Sequence, residues 1–212
     1  MHLILGGTFD PVHHGHLRMA VELRERLGVD RVALVPCHIP PHREQPGTRS
    51  EDRLALLKLA IAGEPGLTVD DRELNRQGPS FTAETLSQLR DELGPREPLA
   101  MVVGMDSFAG FHRWRDWRRI PELAHIIVVN RPGAELEPQS EPAQLLNQRK
   151  AAAINELHGR PAGLCLALDL PLLEISATGI RERIRSGRSP RYLLPDPVWQ
   201  AIRDRGLYRD EV

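Results

Sequence analysis

Short apolar runs alternate along the chain with segments whose apolar residues recur at helical spacing. The runs are rich in valine, isoleucine and leucine, as is typical of strands buried on both faces. They are His2–Leu5, Arg31–Pro36, Leu99–Val103, Ile126–Val129 and Leu164–Leu168. Because strands that alternate with helices form parallel sheets with right-handed crossovers, the pattern predicts an α/β fold with a doubly wound parallel sheet.

The segments between the runs predict helices with defined ends. Helical spacing extends over Leu17–Leu27, Arg53–Ala62, Thr82–Leu93, Ala177–Ser186 and Pro197–Arg205. A glycine follows several of these segments, which is typical of a helix end.

The remaining organisation is less regular between residues 133 and 159. We expect a surface excursion rich in Glu, Pro and Gln, followed by a helix over Asn147–Leu157. A length of 212 residues is enough for one α/β domain with a sizeable core. We expect a single domain over residues 1–212, with a C-terminal helical part of about residues 176–212 packed on it.

The bulk composition restricts the partners of the chain. The formal net charge is −1, so no general attraction to nucleic acid or membrane is expected. No apolar run reaches the roughly 18–20 residues of a membrane span, and the N-terminus has no secretory signal. Cys37 and Cys165 lie far apart, which favours a reduced, cytoplasmic location. The arginines after Arg181 indicate a solvated helix face rather than a nucleic-acid patch.

The first predicted strand leads into a turn rich in glycine and histidine. Residues 6–16 read Gly-Gly-Thr-Phe-Asp-Pro-Val-His-His-Gly-His and run into the first predicted helix. The free N–H groups and the dipole of a helix start favour phosphate at such a turn. Gly6 and Gly7 would let a nucleotide approach the backbone. The turn matches neither the GxGxxG fingerprint nor a P-loop, so it predicts another kind of phosphate site.

The three histidines of this turn are predicted to differ in role. His13 and His16 are three residues apart and would share one face of the helix start, where imidazoles can donate to phosphate oxygens. His14 would lie on the other face as a packed or solvated side chain. A weaker alternative is a zinc site of His13, His16, His38 and His42. No cysteine or carboxylate accompanies those residues at ligand spacing, so we predict no metal held by the protein.

A second motif lies near the C-terminal end. Residues 175–181 read Ile-Ser-Ala-Thr-Gly-Ile-Arg. Ser176 and Thr178 can cap a helix and bind phosphate, and Arg181 can hold phosphate oxygens in a fork. The first motif resembles the GxFDPxHxGH signature, and the second the ISxTxIR motif, of the HIGH-type nucleotidyltransferase superfamily. This resemblance implies a Rossmann-like α/β fold with flanking helices that binds ATP.

Further segments resemble one branch of that superfamily, the bacterial nicotinate-mononucleotide adenylyltransferases. They are Val35–Arg43, Pro79–Leu86, Gly104–Ser107, Trp114, Asn130–Gly133, Tyr192–Val198 and Gly206–Tyr208. The resemblance covers nearly the whole chain and is weakest over residues 133–163. It implies adenylyl transfer from ATP to nicotinate mononucleotide, giving deamido-NAD and pyrophosphate in NAD biosynthesis. The attack on the α-phosphate would be in line, without a covalent intermediate.

The resemblance also implies which residues act on ATP. His13, His16 and Arg181 would be catalytic. These three would bind ATP together with Gly6, Gly7, Thr8, Phe9, Gly104, Asp106, Ser176, Thr178 and Ile180. Mg²⁺ would be bound through the ATP phosphates, with few or no protein ligands. Two assignments leave an alternative open, because Asp106 could be a helix N-cap and Ile180 could pack only in the core.

A second group of residues is implied for the mononucleotide. It consists of His42, Thr82, Trp114 and Arg131. Trp114 would stack on the pyridine ring, although Trp117 could take its place. Thr82 would recognise the pyridine carboxylate. His42 and Arg131 would lie near the mononucleotide phosphate, or they could be solvated surface cations.

Two other functions compete with this interpretation. One is adenylyl transfer to phosphopantetheine, but that branch is shorter and commonly has threonine at the position of His13. The other is a nucleotide-binding module that has lost catalysis and regulates a partner, although such a module would not need every residue of both motifs. The expected partners are therefore the small molecules ATP and nicotinate mononucleotide, bound by a monomer or homo-oligomer.

Overall fold

The computed structural model describes residues 1–39, 47–130 and 133–209. Within these residues, six strands form one sheet: β1 His2–Gly7, β2 Val32–Pro36, β3 Leu67–Val69, β4 Leu99–Gly104, β5 His125–Val129 and β6 Cys165–Leu168. The order is β3-β2-β1-β4-β5-β6, and every neighbouring pair is parallel. The predicted Rossmann-like doubly wound sheet is confirmed. The sequence did not predict β3, which is an edge strand of three residues.

The helices lie on both faces of the sheet. They are α1 His14–Leu27, α2 Ser50–Ile61, α3 Thr82–Leu93, α4 Met105–Phe108, α5 Ile120–Leu123, α6 Glu141–Gln148, α7 Asn155–His158, α8 Ala177–Arg185 and α9 Asp196–Asp204, with a 3-10 helix at Phe111–Arg113. None of the helices in the described ranges is long and apolar enough to cross a membrane.

Alternating residues of the inner strands β1, β2, β4 and β5 supply two separate cores. Leu3 and Leu5 point to one face, where they pack with α1, α2, α8 and α9. Ile4 points to the other face, where it packs with α3, α4 and α5. This period of two is the pattern of a strand covered on both sides, and it explains why the sequence showed continuous apolar runs.

The strand order places a crevice beside β1. Connections from β1 and β4 leave in opposite directions, and ligands of such sheets bind at this reversal, outside the carboxyl ends of the strands. Gly7 at the end of β1 is in register with Pro36 of β2. Gly104 at the end of β4 is in register with Val129 of β5. The turns after β1 and β4 therefore open at the same edge.

Helix ends follow the glycine signals closely. Gly28 takes a left-handed φ of 61° after α1, and its N–H donates to carbonyls of the last turn. The predicted bounds of α3 are confirmed at both ends. Helix α8 ends one residue before the prediction, at Arg185, and α9 begins one residue earlier, at Asp196.

The predicted helix over Asn147–Leu157 is wrong. The chain forms α6 earlier and the short α7 at Asn155, with Lys150 between them pairing with Cys165 beside β6. The hydroxyl of Ser140 caps α6 by accepting from the amide of Ala143. Ser140, followed by an acidic residue and a proline, is a helix start signal that the interpretation as a surface excursion overlooked.

Candidate active site

The ring of Phe9 shapes the turn after β1. Phe9 has a positive φ of 49°, and its side chain is 1% exposed. A Cβ on Gly7 would lie 2.9 Å from Cζ of that ring, whereas a Cβ on Gly6 would meet no described atom within 4 Å. Gly7 therefore makes room for the protein's own aromatic ring. A Cβ on Gly6 would therefore not disturb the protein itself, and the approach of a nucleotide to the backbone at both glycines stays a prediction.

His13 and His16 form a stacked pair at the start of α1. His13 is the N-cap residue and is 4% exposed. The two ring centroids lie 3.7 Å apart with 26° between the ring planes. The backbone N–H of His13 donates to Nδ1 of His16 over 3.3 Å. Because Nδ1 accepts this bond, the proton of the neutral His16 ring lies on Nε2. The pair thus holds its imidazoles in fixed orientation at a helix start.

The neighbours of the pair explain its packing. The ring centroids of Phe9 and His16 lie 5.0 Å apart in an edge arrangement. A Cβ on Gly15 would lie 3.0 Å from the His13 ring, so glycine at this position lets the imidazole pack against the helix. His14 is half-buried, and its backbone N–H donates to the carbonyl of Leu193 over 3.0 Å. That His14 lies outside the chemistry stays a prediction.

The second motif forms the start of α8 beside the first turn. Ser176 caps this helix, because its hydroxyl accepts from the amide of Gly179 over 3.1 Å. Arg181 donates from Nη1 to the carbonyl of Asp10 over 2.6 Å and from Nη2 to Oγ1 of Thr178 over 3.4 Å. The structure therefore brings the two motifs into direct contact, across 171 positions of the sequence.

The side chain of Asp10 fastens the C-terminal part of the chain to the same turn. Asp10 is buried, and its Oδ1 accepts from the hydroxyl of Tyr208 over 2.8 Å. Burial raises the pKa of Tyr208, and the nearby Asp10 carboxylate raises it further. The phenol therefore stays protonated as a donor. This contact was not predicted, although the sequence resemblance included the segment around Tyr208.

Arg53 of α2 lies beneath the turn and was missed as a site residue. Its side chain is 0% exposed. It donates to the carbonyls of Thr8 over 2.7 Å and His38 over 3.1 Å. The signal was its spacing, since Arg53 precedes the buried Leu56 and Leu57 by three and four positions and shares their helix face. An arginine on the core-facing side of a helix needs internal partners.

The start of α3 carries the predicted Thr82. Its preceding segment is tied to the end of β2, because Ser80 accepts from the amide of His38 over 2.9 Å and its own amide donates to Ile39. Phe81 is the N-cap residue, and the guanidinium of Arg115 lies 4.5 Å from its ring centroid. Thr82 is half-buried at the first helical position. Its N–H therefore lies among the free donors of a helix start.

Trp114 follows the 3-10 helix and is partly exposed. Its ring centroid lies 5.2 Å from that of Phe111, which is fully buried. Phe111 belongs to the core on the α3 side of the sheet, whereas α1 and α8 pack on the other side. Trp114 therefore lies on the sheet face opposite to α1 and α8, which carry the histidine pair and Arg181. His42 and Arg131 fall outside the described residues.

Position and burial bear on two alternatives drawn from the sequence. Gly104, not Asp106, is the N-cap of α4, so the N-cap explanation of Asp106 is wrong. Asp106 is exposed at the carboxyl edge, and its ribose contact stays a prediction. Ile180 is 0% exposed within the core, so core packing accounts for its side chain. A contact between Ile180 and adenine stays a prediction.

The zinc alternative and the exposed arginines after Arg181 can also be compared with the structure. In the described part of the chain, no three side chains of His, Cys, Asp or Glu converge in a way that could hold a metal ion. The zinc alternative therefore has no support there, and its fourth residue, His42, is not described. Arg183, Arg185 and Arg188 are exposed, as expected for a solvated helix face.

Comparison with known proteins finds relatives that are similar over nearly the whole chain. Residues 4–183 match the cytidylyltransferase-like family model. A relative from Marinobacter nauticus, named "probable nicotinate-nucleotide adenylyltransferase", is 62% identical over 98% of this chain and 96% of its own. A relative of the same name from Chromohalobacter salexigens is 50% identical over 97% of this chain and 94% of its own. The chain belongs to the nicotinate-nucleotide adenylyltransferase family.

Membership of the nicotinate-nucleotide adenylyltransferase family confirms the resemblance drawn from the motifs. The fold agrees as well. A solved structure of the Plasmodium falciparum nicotinic acid mononucleotide adenylyltransferase, complexed with NaAD, has a TM-score of 0.73 and covers 97% of this chain and 96% of its own. Its sequence is 16% identical, so this likeness concerns the fold alone.

Proposed function

We infer that this chain transfers the adenylyl group of ATP to nicotinate mononucleotide, giving deamido-NAD and pyrophosphate as a step of NAD biosynthesis. The geometric observation that carries this conclusion is the bond from Arg181 to the carbonyl of Asp10, which joins the two phosphate-binding motifs at the carboxyl edge. The curated relatives, similar over nearly their full length, bear the name of this activity.

The reaction is a single displacement at phosphorus. An oxygen of the mononucleotide 5′-phosphate attacks the α-phosphorus of ATP and forms a new P–O bond. The bond from the α-phosphorus to the oxygen that bridges to the β-phosphate breaks, and that oxygen leaves with the electron pair as pyrophosphate. No covalent enzyme intermediate forms, so the protein contributes position and charge stabilisation.

The ATP side of the mechanism uses the stacked histidines and Arg181. Nε2–H of His16 donates to the α-phosphate, whose charge changes in the transition state, and His13 supports the ring and the phosphates beside it. Arg181 is held by the Asp10 carbonyl and Thr178, and directs its cation to the leaving β- and γ-oxygens. The remaining ATP contacts are Gly6, Gly7, Thr8, Phe9, Gly104, Asp106, Ser176 and the backbone at Ile180.

The mononucleotide side uses the start of α3 and Trp114. The amides of Glu84 and Thr85 donate to the carbonyl of Phe81. The amides of Thr82 and Ala83 lie in the first turn, where a helix offers no acceptor for them. Backbone N–H groups at Thr82 therefore favour the carboxylate of nicotinate over a carboxamide. Trp114 stacks on the pyridine ring. We expect His42 and Arg131, which lie outside the described residues, to bind the mononucleotide phosphate.

Magnesium fits this site as a partner of the phosphates. The described residues include no acidic cage near the turn, whereas ATP brings oxygen ligands of the kind that Mg²⁺ prefers. When bound to the triphosphate, Mg²⁺ neutralises part of its charge. Arg181 supplies further positive charge, and His13 and His16 supply hydrogen bonds from the protein. We place the enzyme in the cytoplasm, as a monomer or homo-oligomer without a nucleic-acid or membrane partner.

Release of pyrophosphate tests the proposal directly. Purified protein receives ATP and Mg²⁺ with nicotinate mononucleotide, nicotinamide mononucleotide or phosphopantetheine in separate reactions. We expect turnover with nicotinate mononucleotide and less with the nicotinamide form. Turnover with phosphopantetheine alone would assign the chain to the competing transferase activity. No turnover with any acceptor, in protein that still binds ATP, would favour the non-catalytic module.

A further inference from the structure

Arg53 is the largest side chain with no exposed surface in the described part of the chain. Burial of a guanidinium costs several kcal/mol unless its donors find internal partners. The partners in the described residues are neutral: the carbonyls of Thr8 and His38 and the hydroxyl of Ser50. Because the desolvation of a buried cation can exceed what bonds to neutral carbonyls return, stability alone does not explain why an arginine occupies this position.

The two carbonyls lie on connections that leave neighbouring strands. The ladder between β1 and β2 ends where Gly7 pairs with Pro36. One further bond joins the strands, from the amide of Cys37 to the carbonyl of Gly7, over 3.0 Å. Beyond this point, Arg53 bridges Thr8 and His38. The planar guanidinium thus extends the connection between the two segments, which follow β1 and β2, past the end of the sheet.

These two connections lead to the two proposed substrate sites. Thr8 belongs to the turn that contacts ATP. The amide of His38 donates to Ser80, two positions before Thr82 at the start of α3. We propose that Arg53 is a positioning residue that fixes the distance between the ATP turn and the start of α3, and so aligns the attacking phosphate with the α-phosphorus. Arg53 acts through Thr8 and His38 and contacts neither substrate. This inference rests on the proposed function.

Arg90 offers a matched control. It also binds backbone carbonyls, those of Leu123, Gly94, Glu97 and Pro161, over 2.6–3.2 Å. Pro161 also accepts from the amide of Leu99, the first residue of β4. These bonds therefore lie at the amino edge of the sheet, opposite the site. Replacement by lysine at either position keeps the charge and removes the planar fork.

The test compares Arg53→Lys, Arg90→Lys and the unchanged protein. For Arg53→Lys we expect kcat to fall by about tenfold or more, since small misplacements of reacting groups are costly. Binding of ATP alone and of nicotinate mononucleotide alone, measured by calorimetry, should change by less than about threefold, because each half-site stays intact. Arg90→Lys should lower the melting temperature and leave kcat unchanged. A folded Arg53→Lys protein with the kcat of the unchanged protein would overturn the proposal.

A second measurement does not depend on turnover. Amide hydrogen exchange should become faster in Arg53→Lys at both residues 7–10 and residues 37–39, and not in Arg90→Lys. Equal exchange in the two variants would contradict the positioning role. If Arg53→Lys does not fold, Ser50→Ala removes one partner of the fork and should lower kcat measured on the folded protein; an unchanged kcat would reject the role. Inactivity of the unchanged protein would instead reject the proposed function.

Discussion

Replacing Gly7 by alanine tests the packing that holds His16 in place. The new Cβ would lie 2.9, 3.1 and 3.2 Å from three atoms of the Phe9 ring. Carbon atoms pack at about 3.5–4.0 Å, so the ring must move by roughly 0.5–1 Å. Phe9 is 1% exposed and touches the edge of His16, so the ring cannot move into solvent without disturbing the histidine. We expect Gly7→Ala to lose about 1–3 kcal/mol of unfolding free energy, as overpacked cores do.

The assay is chemical denaturation followed by tryptophan fluorescence, with activity measured on the folded fraction. Gly6→Ala is the control for stability, because its Cβ would meet no described atom within 4 Å. It should change the unfolding free energy by less than about 0.5 kcal/mol. Adding Phe9→Leu to Gly7→Ala should recover part of the loss, as the smaller side chain gives way. Equal stability of Gly6→Ala and Gly7→Ala would refute the argument.

Three further predictions concern the chemistry and the buried histidine. His16→Ala should lower kcat by about 10²–10³-fold, as loss of a transition-state donor does, whereas His14→Ala should leave kcat near its original value. Trp114→Ala should raise the KM for the mononucleotide by about tenfold and leave that for ATP unchanged, with Trp117→Ala as the comparison. Burial lowers the pKa of His125, so below about pH 6.5 the unfolded chain binds a proton that the folded chain does not. As the pH decreases below this value, the unfolding free energy should therefore decrease by up to about 1.4 kcal/mol per pH unit. The decrease should be smaller in His125→Gln.

Each of these has an outcome that contradicts it. If His16→Ala changed only the KM for ATP and left kcat unchanged, His16 would not stabilise the transition state. If Trp117→Ala raised the KM for the mononucleotide more than Trp114→Ala, the stacking role would belong to Trp117. For the pH series, the unfolding free energy is measured by denaturation between pH 5 and 8 and plotted against pH. Identical slopes in the unchanged protein and His125→Gln would mean that another group is responsible.

The sequence predicted the sheet well because its strands are buried on both faces. Continuous runs such as Leu99–Val103 leave little choice of structure. The edge strand β3 was missed because three residues with a central threonine give no such run. Between β5 and β6, the periodicity at Asn147–Leu157 outweighed the local start signal at Ser140, and the helix was misplaced. Local capping chemistry was the better guide there.

Candidate site residues could be predicted from sequence where the side-chain type itself suggests the chemistry, and less so where a residue acts through backbone contacts. The motifs named His13, His16 and Arg181 directly. The role of Arg53 depends on two carbonyls whose positions appear only in three dimensions. Ile180 shows the reverse case, since its place in a motif predicts a contact with adenine while its side chain is 0% exposed in the core.

The bonds from Arg181 and Tyr208 to Asp10 also set the time at which the site can form in a growing chain. These partners are 171 and 198 positions downstream of Asp10. At a synthesis rate of about 5–20 residues per second, the first turn leaves the ribosome roughly 10–40 s before the groups that hold it. During that interval the nascent chain has the histidines but not the cation that joins the motifs. Adenylyl transfer therefore begins only after the C-terminal helices have docked.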